Sequence, residues 1–397
     1  MPVETRAEPT QRTTATPGRS VLALAVLLAI VAVLWWSVGF LADPAAFDRV
    51  VAGLLRFVGA DGSAAAIEQR GLTPVSRKLG SAAVALVVGV GGVWALFVAA
   101  NRAIDATFGL RTREKIRPWL FVGPGIGLIF LYLLLPMLGT IYRSFTDNDG
   151  GFTLSHYQFA LTDPSMLLAF RNNVLWLVFG TTGSVLIGVG FAALVDRVKR
   201  EALAKSFIFL PLSISFVGAS VIWRFVYSWQ PEGQPQTGLI NAIITGFGFE
   251  PVPILSLSPL NTFALIVVMI WLQTGFAMVI FSAAIKSVPS EVIEAARLDG
   301  AGEFVVFLRI ILPMIRGTIL TVATAIFIAI LKVFDIVWVM GRGGNFDTEV
   351  VATRMFKEMF QFQNFGRASA LAVLLLLVVI PVMVVNIRNM NRQGVGA

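Results

Sequence analysis

The feature that most constrains the fold of this chain is a series of long apolar runs. The first extends from Ser20 to Ala42 without a charged residue. A helix needs about 20 apolar residues to cross a bilayer, and only helices or closed barrels satisfy their own backbone hydrogen bonds there. The sequence therefore predicts an all-α polytopic membrane protein with about eight transmembrane helices. The predicted spans are 20–42, 79–101, 118–141, 172–195, 206–229, 261–285, 317–340 and 368–387.

The composition agrees with a membrane protein and excludes several kinds of site. Hydrophobic residues make up 56% of the chain and charged residues 14%, whereas soluble domains carry about 25% charged residues. There is no cysteine and one histidine, His156, so disulfides, zinc–thiolate sites and cysteine nucleophiles are excluded and no metal site is expected. The net charge of +8 is typical of cationic cytoplasmic loops, so no nucleic acid is expected as a partner.

The distribution of lysine and arginine predicts the orientation in the membrane. If the N-terminus is inside, the cytoplasmic segments hold 18 of these residues and the outer segments hold 11. Loop 230–260 has no basic residue and is the clearest outer segment, whereas loop 42–78 fits least well. Because basic residues concentrate on the cytoplasmic side, both termini are predicted to be cytoplasmic.

The chain divides into segments of different character. Residues 1–18 are polar and are predicted to form a disordered cytoplasmic tail. Residues 19–117 are predicted to hold two extra N-terminal transmembrane helices with their loops. Residues 118–388 form a block of six spans, and residues 389–397 form a second cytoplasmic tail.

One polar stretch, from Ser290 to Arg316, interrupts the apolar pattern. Ser290 is suited to cap a helix N-terminus, and Gly300 supplies the conformational freedom to end that helix. A second, apolar helix is predicted from Phe304 to Leu312. The stretch therefore predicts two short helices joined by a bend, which either dock in another protein or lie on the membrane surface.

The spacing within this stretch resembles the EAA signature of permease subunits of ATP-binding-cassette (ABC) importers. The pattern is Glu294-Ala295-Ala296, three residues, Gly300, nine residues, Ile310, one residue and Leu312-Pro313. In that family the loop is a coupling helix that docks in a groove of the nucleotide-binding subunit. The resemblance implies the type I importer permease fold with a six-helix core and a coupling loop at 286–316. It implies the coupling residues Glu294, Ala295, Ala296, Asp299, Gly300 and Pro313.

The chain shows no recognisable motif for ATP hydrolysis. It contains no Gly-x4-Gly-Lys-Ser/Thr phosphate-binding loop, so we predict a transport subunit without a cofactor of its own, not an enzyme. The resemblance implies that ATP and Mg²⁺ bind to two partner ATPase subunits. It also implies a second permease subunit, a periplasmic or lipid-anchored substrate-binding protein, a sugar substrate and membrane lipid as partners. The implied location is the bacterial plasma (inner) membrane.

Two stretches inside the predicted spans combine aromatic and polar residues, as sugar sites do. Lys332 and Asp335 lie three residues apart in span 317–340, hence on one helix face. A charge at mid-bilayer costs about 2.5–3.5 kcal/mol, so the pair either lines a polar path or faces a partner helix. The block resembles the maltose-type permease, whose corresponding stretches imply a substrate path at Leu272, Gln273, Phe276, Lys332 and Asp335.

The segment after the seventh span resembles the external segment of sugar permeases, closest to those for α-glucosides. The resemblance is carried by Gly343-Gly344-Asn345-Phe346-Asp347-Thr348, Thr353-Arg354-Met355-Phe356 and Gly366-Arg367-Ala368-Ser369-Ala370. It implies that Gly343, Gly344 and Thr348 belong to the loop that receives the binding protein, and that the substrate is a carbohydrate, with α-glucosides or disaccharides favoured. A simple turn built on two glycines also fits the local geometry.

Two other functions fit the same spans. An ion-coupled secondary transporter would use Lys332 and Asp335 and would work without an ATPase. A non-transporting membrane scaffold would anchor an ATPase without any stimulation of hydrolysis by substrate.

Overall fold

The computed structural model describes residues 44–70, 74–147, 149–196 and 198–394, together with Ala25, Val31 and Ala32. Within these residues the chain is helical apart from its connections and one isolated β-bridge, so the all-α prediction is confirmed. The predicted tail 1–18 and almost all of the predicted span 20–42 lie outside the described residues. The chain forms two compact units, residues 1–135 and 136–397. The predicted domain boundary, at 117/118, stays a prediction.

The first unit contains four described helices. They are α1 (Pro44–Phe57), α2 (Asp61–Arg70), α3 (Pro74–Thr107) and α4 (Leu110–Ile129), and a π-helical turn (Phe130–Leu134) follows α4. Helices α1 and α2 contact one another, and each has a fully buried alanine, Ala52 on α1 and Ala64 on α2. The predicted span 79–101 lies within α3.

The basic segment before the third predicted span is helical, not a loop. Helix α4 begins at Leu110 and runs through Pro118, the residue at which the span was predicted to start. The carboxylate of Asp105 on α3 lies 2.7 Å from Arg117 and 3.4 Å from Arg113, both on α4. These ion pairs connect the two helices. The rings of Phe97 and Phe121 pack edge to face with their centroids 4.6 Å apart.

The second unit begins inside helix α5 and holds the remaining elements. Its α-helices are α5 (Leu135–Ser144), α6 (Ser155–Thr162), α7 (Pro164–Leu175), α8 (Thr181–Val195), α9 (Glu201–Phe209), α10 (Phe216–Val226), α11 (Leu239–Gly246), α12 (Leu260–Lys286), α13 (Ser290–Leu298), α14 (Glu303–Val306), α15 (Leu312–Met314), α16 (Arg316–Leu331), α17 (Asp335–Met340), α18 (Val351–Phe356) and α19 (Phe365–Gly394). The π-helical turns Trp176–Gly180, Phe307–Ile311 and Lys357–Gln361 join α7 to α8, α14 to α15, and α18 to the segment before α19.

Six segments among the described residues are long and apolar enough to cross a membrane, if two bent pairs are each counted as one span. The four unbroken ones are Thr112–Ser144, Pro164–Val195, Leu260–Lys286 and Phe365–Arg388. The bent pairs are Glu201–Ser213 with Phe216–Val226, and Glu303–Met314 with Arg316–Leu331. These six correspond to the predicted six-helix block. The total of eight stays a prediction, because the first predicted span is not described.

Two of the predicted spans are each formed by two helices with a break between them. The span predicted at 206–229 is two helices bent by 101°. The bend follows a 3₁₀ turn that contains Pro211, and Ser215 then caps the new helix by accepting a hydrogen bond of 3.0 Å from the Gly218 amide. The span predicted at 317–340 ends at Leu331, and a separate helix begins at Asp335.

Helix α12 is the core of the second unit. In its apolar stretch 61% of the residues are buried, against 28% in Pro164–Val195 and in Phe365–Arg388. Its buried side chains include Leu265, Met269, Leu272 and Phe281, and α8 is the helix with which it makes its most extensive contact. Helices α8, α9 and α16 therefore pack against α12.

Glycines allow the neighbouring helices to approach α12 closely. A Cβ atom at Gly188 of α8 would lie 2.5 Å from the Cβ of Ala277. A Cβ atom at Gly275 of α12 would lie 2.5 Å from the carbonyl oxygen of Ile208 and 2.7 Å from the Cα of Phe209. Ordinary carbon contacts are about 3.5–4.0 Å, so no larger residue fits at either position. Small residues at such contacts are the usual means by which membrane helices bring their backbones together.

Replacing Gly275 with alanine is expected to destabilise the protein by about 1–3 kcal/mol, the usual cost of overpacking a core. The added methyl group meets backbone atoms of α9, which have no rotamer to change. Thermal unfolding of the purified protein in detergent measures the effect.

Gly190→Ala is the matched control, because a Cβ atom at Gly190 of α8 meets no atom within 4 Å. Alanine is a better helix former than glycine by about 1 kcal/mol, so this variant should unfold at the wild-type temperature or slightly above it. Equal losses in the two variants would contradict the packing described here.

Candidate coupling and transport sites

The stretch singled out in the sequence forms an exposed helix–bend–helix projection after α12. No residue of α13 is buried, and Leu298 at its end is 89% exposed. Ile293 and Ala296 face inward and pack on a small cluster that contains Val306 and Ile311. One face of the projection therefore packs on other residues of this chain, and the opposite face is exposed.

The helix end at Gly300 has the predicted geometry. Gly300 adopts φ of 81°, a left-handed conformation that glycine accepts without strain. The amide of Ala301 donates to the carbonyl of Ala296, and the amide of Gly300 donates to that of Arg297, both at 3.0 Å. These two hydrogen bonds define a Schellman motif, which satisfies carbonyls that the helix leaves free.

The predicted coupling residues differ in their exposure. Glu294, Ala295, Asp299 and Pro313 are exposed, so they are free to meet another protein. Ala296 is half-buried and packs on the cluster beneath, so it shapes the projection from within. The expectation that Ser290 caps the helix is wrong, because Pro289 occupies the cap position and Ser290 is the first helical residue.

The second part of the projection runs into a membrane span through a sharp bend. Arg297 donates to the carboxylate of Glu303 at 2.8 Å and so joins α13 to α14, and this contact raises the pKa of the guanidinium. Pro313 lies in α15, two residues before Ile315, where the chain bends by 71° into α16. The predicted second helix, from Phe304 to Leu312, is thus an α-helical turn followed by a π-helical turn.

A cluster of charged side chains lies at the end of α12 nearest the projection. Lys205 of α9 is 2.8 Å from Asp196, which follows α8, and 2.5 Å from Glu201. Ser282 of α12 donates to Asp196 at 2.6 Å and also contacts Lys205, and Lys286 pairs with Glu201. This α8–α9–α12 ion cluster fixes the end of α12 four residues before α13 begins. Sequence reasoning missed it, because Ser282 and Lys286 are distant in the chain from Asp196, Glu201 and Lys205.

The residues predicted to line a substrate path occupy two places. Leu272 and Gln273 are buried in α12, and Phe276 is half-buried against the same core. Lys332 and Asp335 do not share a helix face, so that prediction is wrong: Lys332 is exposed at the end of α16 and Asp335 begins α17. The side-chain amide of Asn173 on α7 donates a hydrogen bond of 3.5 Å to the backbone carbonyl of Leu331. It thereby satisfies one of the carbonyls that have no partner within the helix where α16 ends.

A cavity of about 640 Å³ opens beside this break. Lys332 and Phe334 line it together with Met355 and Phe356 of α18 and apolar residues of α19. The ring of Phe334 is stacked on Trp338, whose ring meets Phe356 edge to face with centroids 4.8 Å apart. The structure therefore combines Lys332 with aromatic rings, whereas Gln273, Phe276 and Asp335 are not part of this lining.

The loop between α17 and α18 is held by buried asparagines. Asn172 donates to the carbonyls of Asp347 and Glu349, and Asn261 donates to that of Phe346. Positive φ angles occur at Arg342, Gly343, Gly344, Phe346 and Asp347. The adjacent asparagines in an apolar span were the sequence signal that could have revealed this contact.

The predicted binding-protein residues shape this loop from inside. Gly343, Gly344 and Thr348 are buried, and Thr348 donates to the carbonyl of Asn345 at 2.7 Å. The residues that the loop exposes are Arg342, Asn345, Phe346 and Asp347.

Two buried carboxylates, also missed in the sequence, hold the following segment. Glu358 is fully buried and lies 2.8 Å from Arg354, and Glu349 lies 2.8 Å from Lys357. The guanidinium of Arg367 stacks over the ring of Phe159 on α6, 4.0 Å from its centroid. These pairs neutralise charge that would otherwise be costly to bury.

Comparison with known proteins identifies the family. Residues 184–390 match the family described as the binding-protein-dependent transport system inner membrane component. The osmoprotective compounds uptake permease protein GgtC of Synechocystis sp. is 56% identical over 276 residues, which are 69% of this chain and 99% of that protein. The alpha-glucoside transport system permease protein AglF of Rhizobium meliloti is 41% identical over 335 residues, 81% of this chain and 99% of that protein.

The fold is shared with a solved transporter. A chain from a bacterial ABC transporter involved in the import of the acidic polysaccharide alginate aligns with a TM-score of 0.61 at 22% identity, covering 70% of this chain and 99% of that chain. The apolar spans, together with the family match, identify a subunit of a membrane transport system. The chain belongs to the inner-membrane permease family of binding-protein-dependent ABC importers, and its predicted type I fold is confirmed.

Replacing Lys205 with methionine is expected to lower the free energy of unfolding by about 1–3 kcal/mol, the cost of leaving a buried polar group unsatisfied. The Asp196 side chain is 13% exposed and would lose its nearest cation. Lys199→Met is the control, because Lys199 is exposed and surface changes are usually within about 0.5 kcal/mol. Thermal unfolding measures both, and an unchanged K205M protein would contradict the anchoring role of the cluster.

Proposed function

We propose that this permease forms one half of the translocation path of an ATP-driven carbohydrate importer, with α-glucosides or similar disaccharides as its substrates. Two relatives are named for the uptake of alpha-glucosides and of osmoprotective compounds, which supports a small polyhydroxylated solute. The proposed partners are a second permease subunit, two ATP-binding subunits that hold ATP and Mg²⁺, and a periplasmic or lipid-anchored binding protein. The proposed location is the inner membrane, with both termini in the cytoplasm.

The observation that carries this proposal is the exposed face of α13. Glu294 and Ala295 of α13 and Asp299, which follows it, have exposed side chains, and the Schellman turn at Gly300 fixes the helix end. A short exposed helix of fixed direction suits insertion into a groove, and the carboxylate of Glu294 is available to pair with a cation there. We assign Glu294, Ala295, Asp299, Gly300 and Pro313 to coupling, with Ala296 supporting them from beneath.

The proposed mechanism transmits movement along α12. Closure of the ATPase dimer on ATP displaces the coupling helices, and the ion cluster joins that displacement to α8, α9 and α12. Because these helices are closely packed, they move together and change the side of the membrane to which the path opens. The binding protein then releases its sugar into the open path.

For the substrate path, we favour the cavity beside Lys332. Aromatic rings stack on the CH faces of sugars while charged groups bind hydroxyls, and Lys332, Phe334 and Phe356 supply both to one cavity. Its volume of about 640 Å³ falls within the range of small-molecule sites, about 300–1,000 Å³. We keep four further residues as proposed members of the path: Leu272, Gln273, Phe276 and Asp335. In other conformational states of the transporter their side chains would be exposed to the path.

Glu294→Lys is expected to uncouple the transporter, because it reverses a charge at the proposed docking contact. Sugar uptake by the reconstituted complex should fall at least tenfold, about 1.4 kcal/mol of lost coupling. Glu114→Lys is the control, an equal reversal of an exposed charge on α4, outside both proposed docking contacts. Wild-type uptake by the E294K complex would refute the docking role, and uptake without any ATPase would favour an ion-coupled transporter.

Lys332→Met is expected to raise the sugar concentration that half-saturates uptake by about tenfold, because hydrogen bonds to a charged donor contribute about 1.5–3 kcal/mol. The double variant Gln273→Ala with Phe276→Ala tests the second part of the proposed path in the same assay. A wild-type response of the K332M transporter would exclude the cavity, and a wild-type response of the double variant would exclude the α12 residues.

A further inference from the structure

A second, smaller cavity lies at the opposite end of α12 from the projection. Its volume is about 220 Å³, and Arg224, Tyr227, Trp229, Arg342 and Phe346 contribute to its lining. It is lined also by residues of segment 253–256, just before α12, and the 27 residues of α12 separate it from α13 by about 40 Å. We call this cavity the two-arginine pocket.

The two arginines have no carboxylate to neutralise them among the residues that the structure describes. In segment 341–367 the other basic residues, Arg354, Lys357 and Arg367, each lie within 4 Å of a glutamate. Arg342 and Arg224 have no such partner, and no hydrogen bond from either guanidinium is found in the described part of the chain. Two like charges at one pocket repel, so an anion placed between them would be bound strongly.

The walls of the pocket are fixed before any ligand arrives. Arg342 adopts φ of 50°, an uncommon conformation for a residue with a side chain, and Asn261 holds the loop by donating to the carbonyl of Phe346. The hydroxyl of Tyr227 donates to the carbonyl of Ala264 at 3.2 Å, and the indole of Trp229 donates to that of Pro251 at 3.3 Å. Such a preorganised site loses little conformational entropy on binding.

The size and position of the pocket indicate what occupies it. A volume of about 220 Å³ is below the usual range for small-molecule sites, about 300–1,000 Å³, so a disaccharide does not fit, whereas the end of an acidic side chain does. The pocket lies at the end of the bundle opposite the coupling helix, where the soluble binding protein docks under the proposed function.

We infer that the two-arginine pocket receives an aspartate or glutamate side chain of the binding protein, with one carboxylate bridging Arg224 and Arg342. The rings of Trp229 and Phe346, 40% and 45% exposed, border the contact and exclude water from it. The inference rests on the proposed function, because it takes the binding protein as the partner. It assigns a docking role to Arg224 and Arg342, not to the buried Gly343, Gly344 and Thr348.

The test uses the complete transporter in nanodiscs of zwitterionic lipid, with sugar-loaded binding protein as the probe. For the double variant Arg224→Gln with Arg342→Gln, the binding-protein concentration that half-saturates ATPase stimulation should rise at least about tenfold. Its dependence on salt should weaken, because an ion pair has been removed. Arg143→Gln, which removes an exposed arginine outside the pocket, should change neither quantity.

A charge exchange makes the test specific. Arg342→Glu should weaken stimulation further, and one Asp→Lys or Glu→Lys variant of the binding protein should restore it. The inference is overturned if the double variant responds within twofold of wild type, if Arg143→Gln shifts the response equally, or if no acidic residue of the binding protein restores Arg342→Glu. Failure of the proposed function would look different, because the wild-type transporter would then not respond to the binding protein at all.

Discussion

The close approach of α8 and α9 to α12 is the contact on which the rest of the second unit depends. At Gly188 and Gly275 the neighbouring backbone occupies the space that a side chain would need. In a membrane the hydrophobic effect does not drive helices together, so packing at small residues has to supply the stabilisation. The bent span that begins with α9, the ion cluster and the break before α17 all keep their positions relative to α12 because this packing holds.

The same packing also explains how α12 connects two distant surfaces of the second unit, the exposed α13 and the two-arginine pocket. Helix α12 is unbroken for 27 residues, and it leads at one end to the exposed α13 and at the other to the two-arginine pocket. The ion cluster at Asp196 and Lys205 fixes the first end, and the buried Asn261 ties the second end to the loop that carries Arg342. Under the proposed mechanism, a displacement at either surface is passed to the core, because α12 is unbroken between the two surfaces.

Local sequence patterns predicted the parts of the molecule that depend on neighbouring residues. The six spans of the block 118–388 were predicted from apolar runs. The end of α13 was predicted from Gly300, whose φ of 81° few other residue types adopt. The break between Lys332 and Asp335 could not be predicted in this way, because a side chain from α7 helps to satisfy the helix end there. The ion cluster escaped for the same reason, since Ser282 and Lys286 of α12 reach Asp196 and Glu201 from another part of the chain. Glu349 and Glu358 have partners nearby in the sequence, but their burial depends on the packing of the whole segment.

Docking of α13 on an ATPase is the central claim, and cysteine cross-linking tests it most directly. The chain has no native cysteine, so Ala295→Cys introduces a single thiol on the exposed face of α13. In the assembled, active transporter this thiol should cross-link to a cysteine in the groove of the ATP-binding subunit, and the cross-link should block sugar uptake. Glu232→Cys, in the loop after α10, should not cross-link. An active complex in which Ala295→Cys never reaches the ATPase would contradict the account.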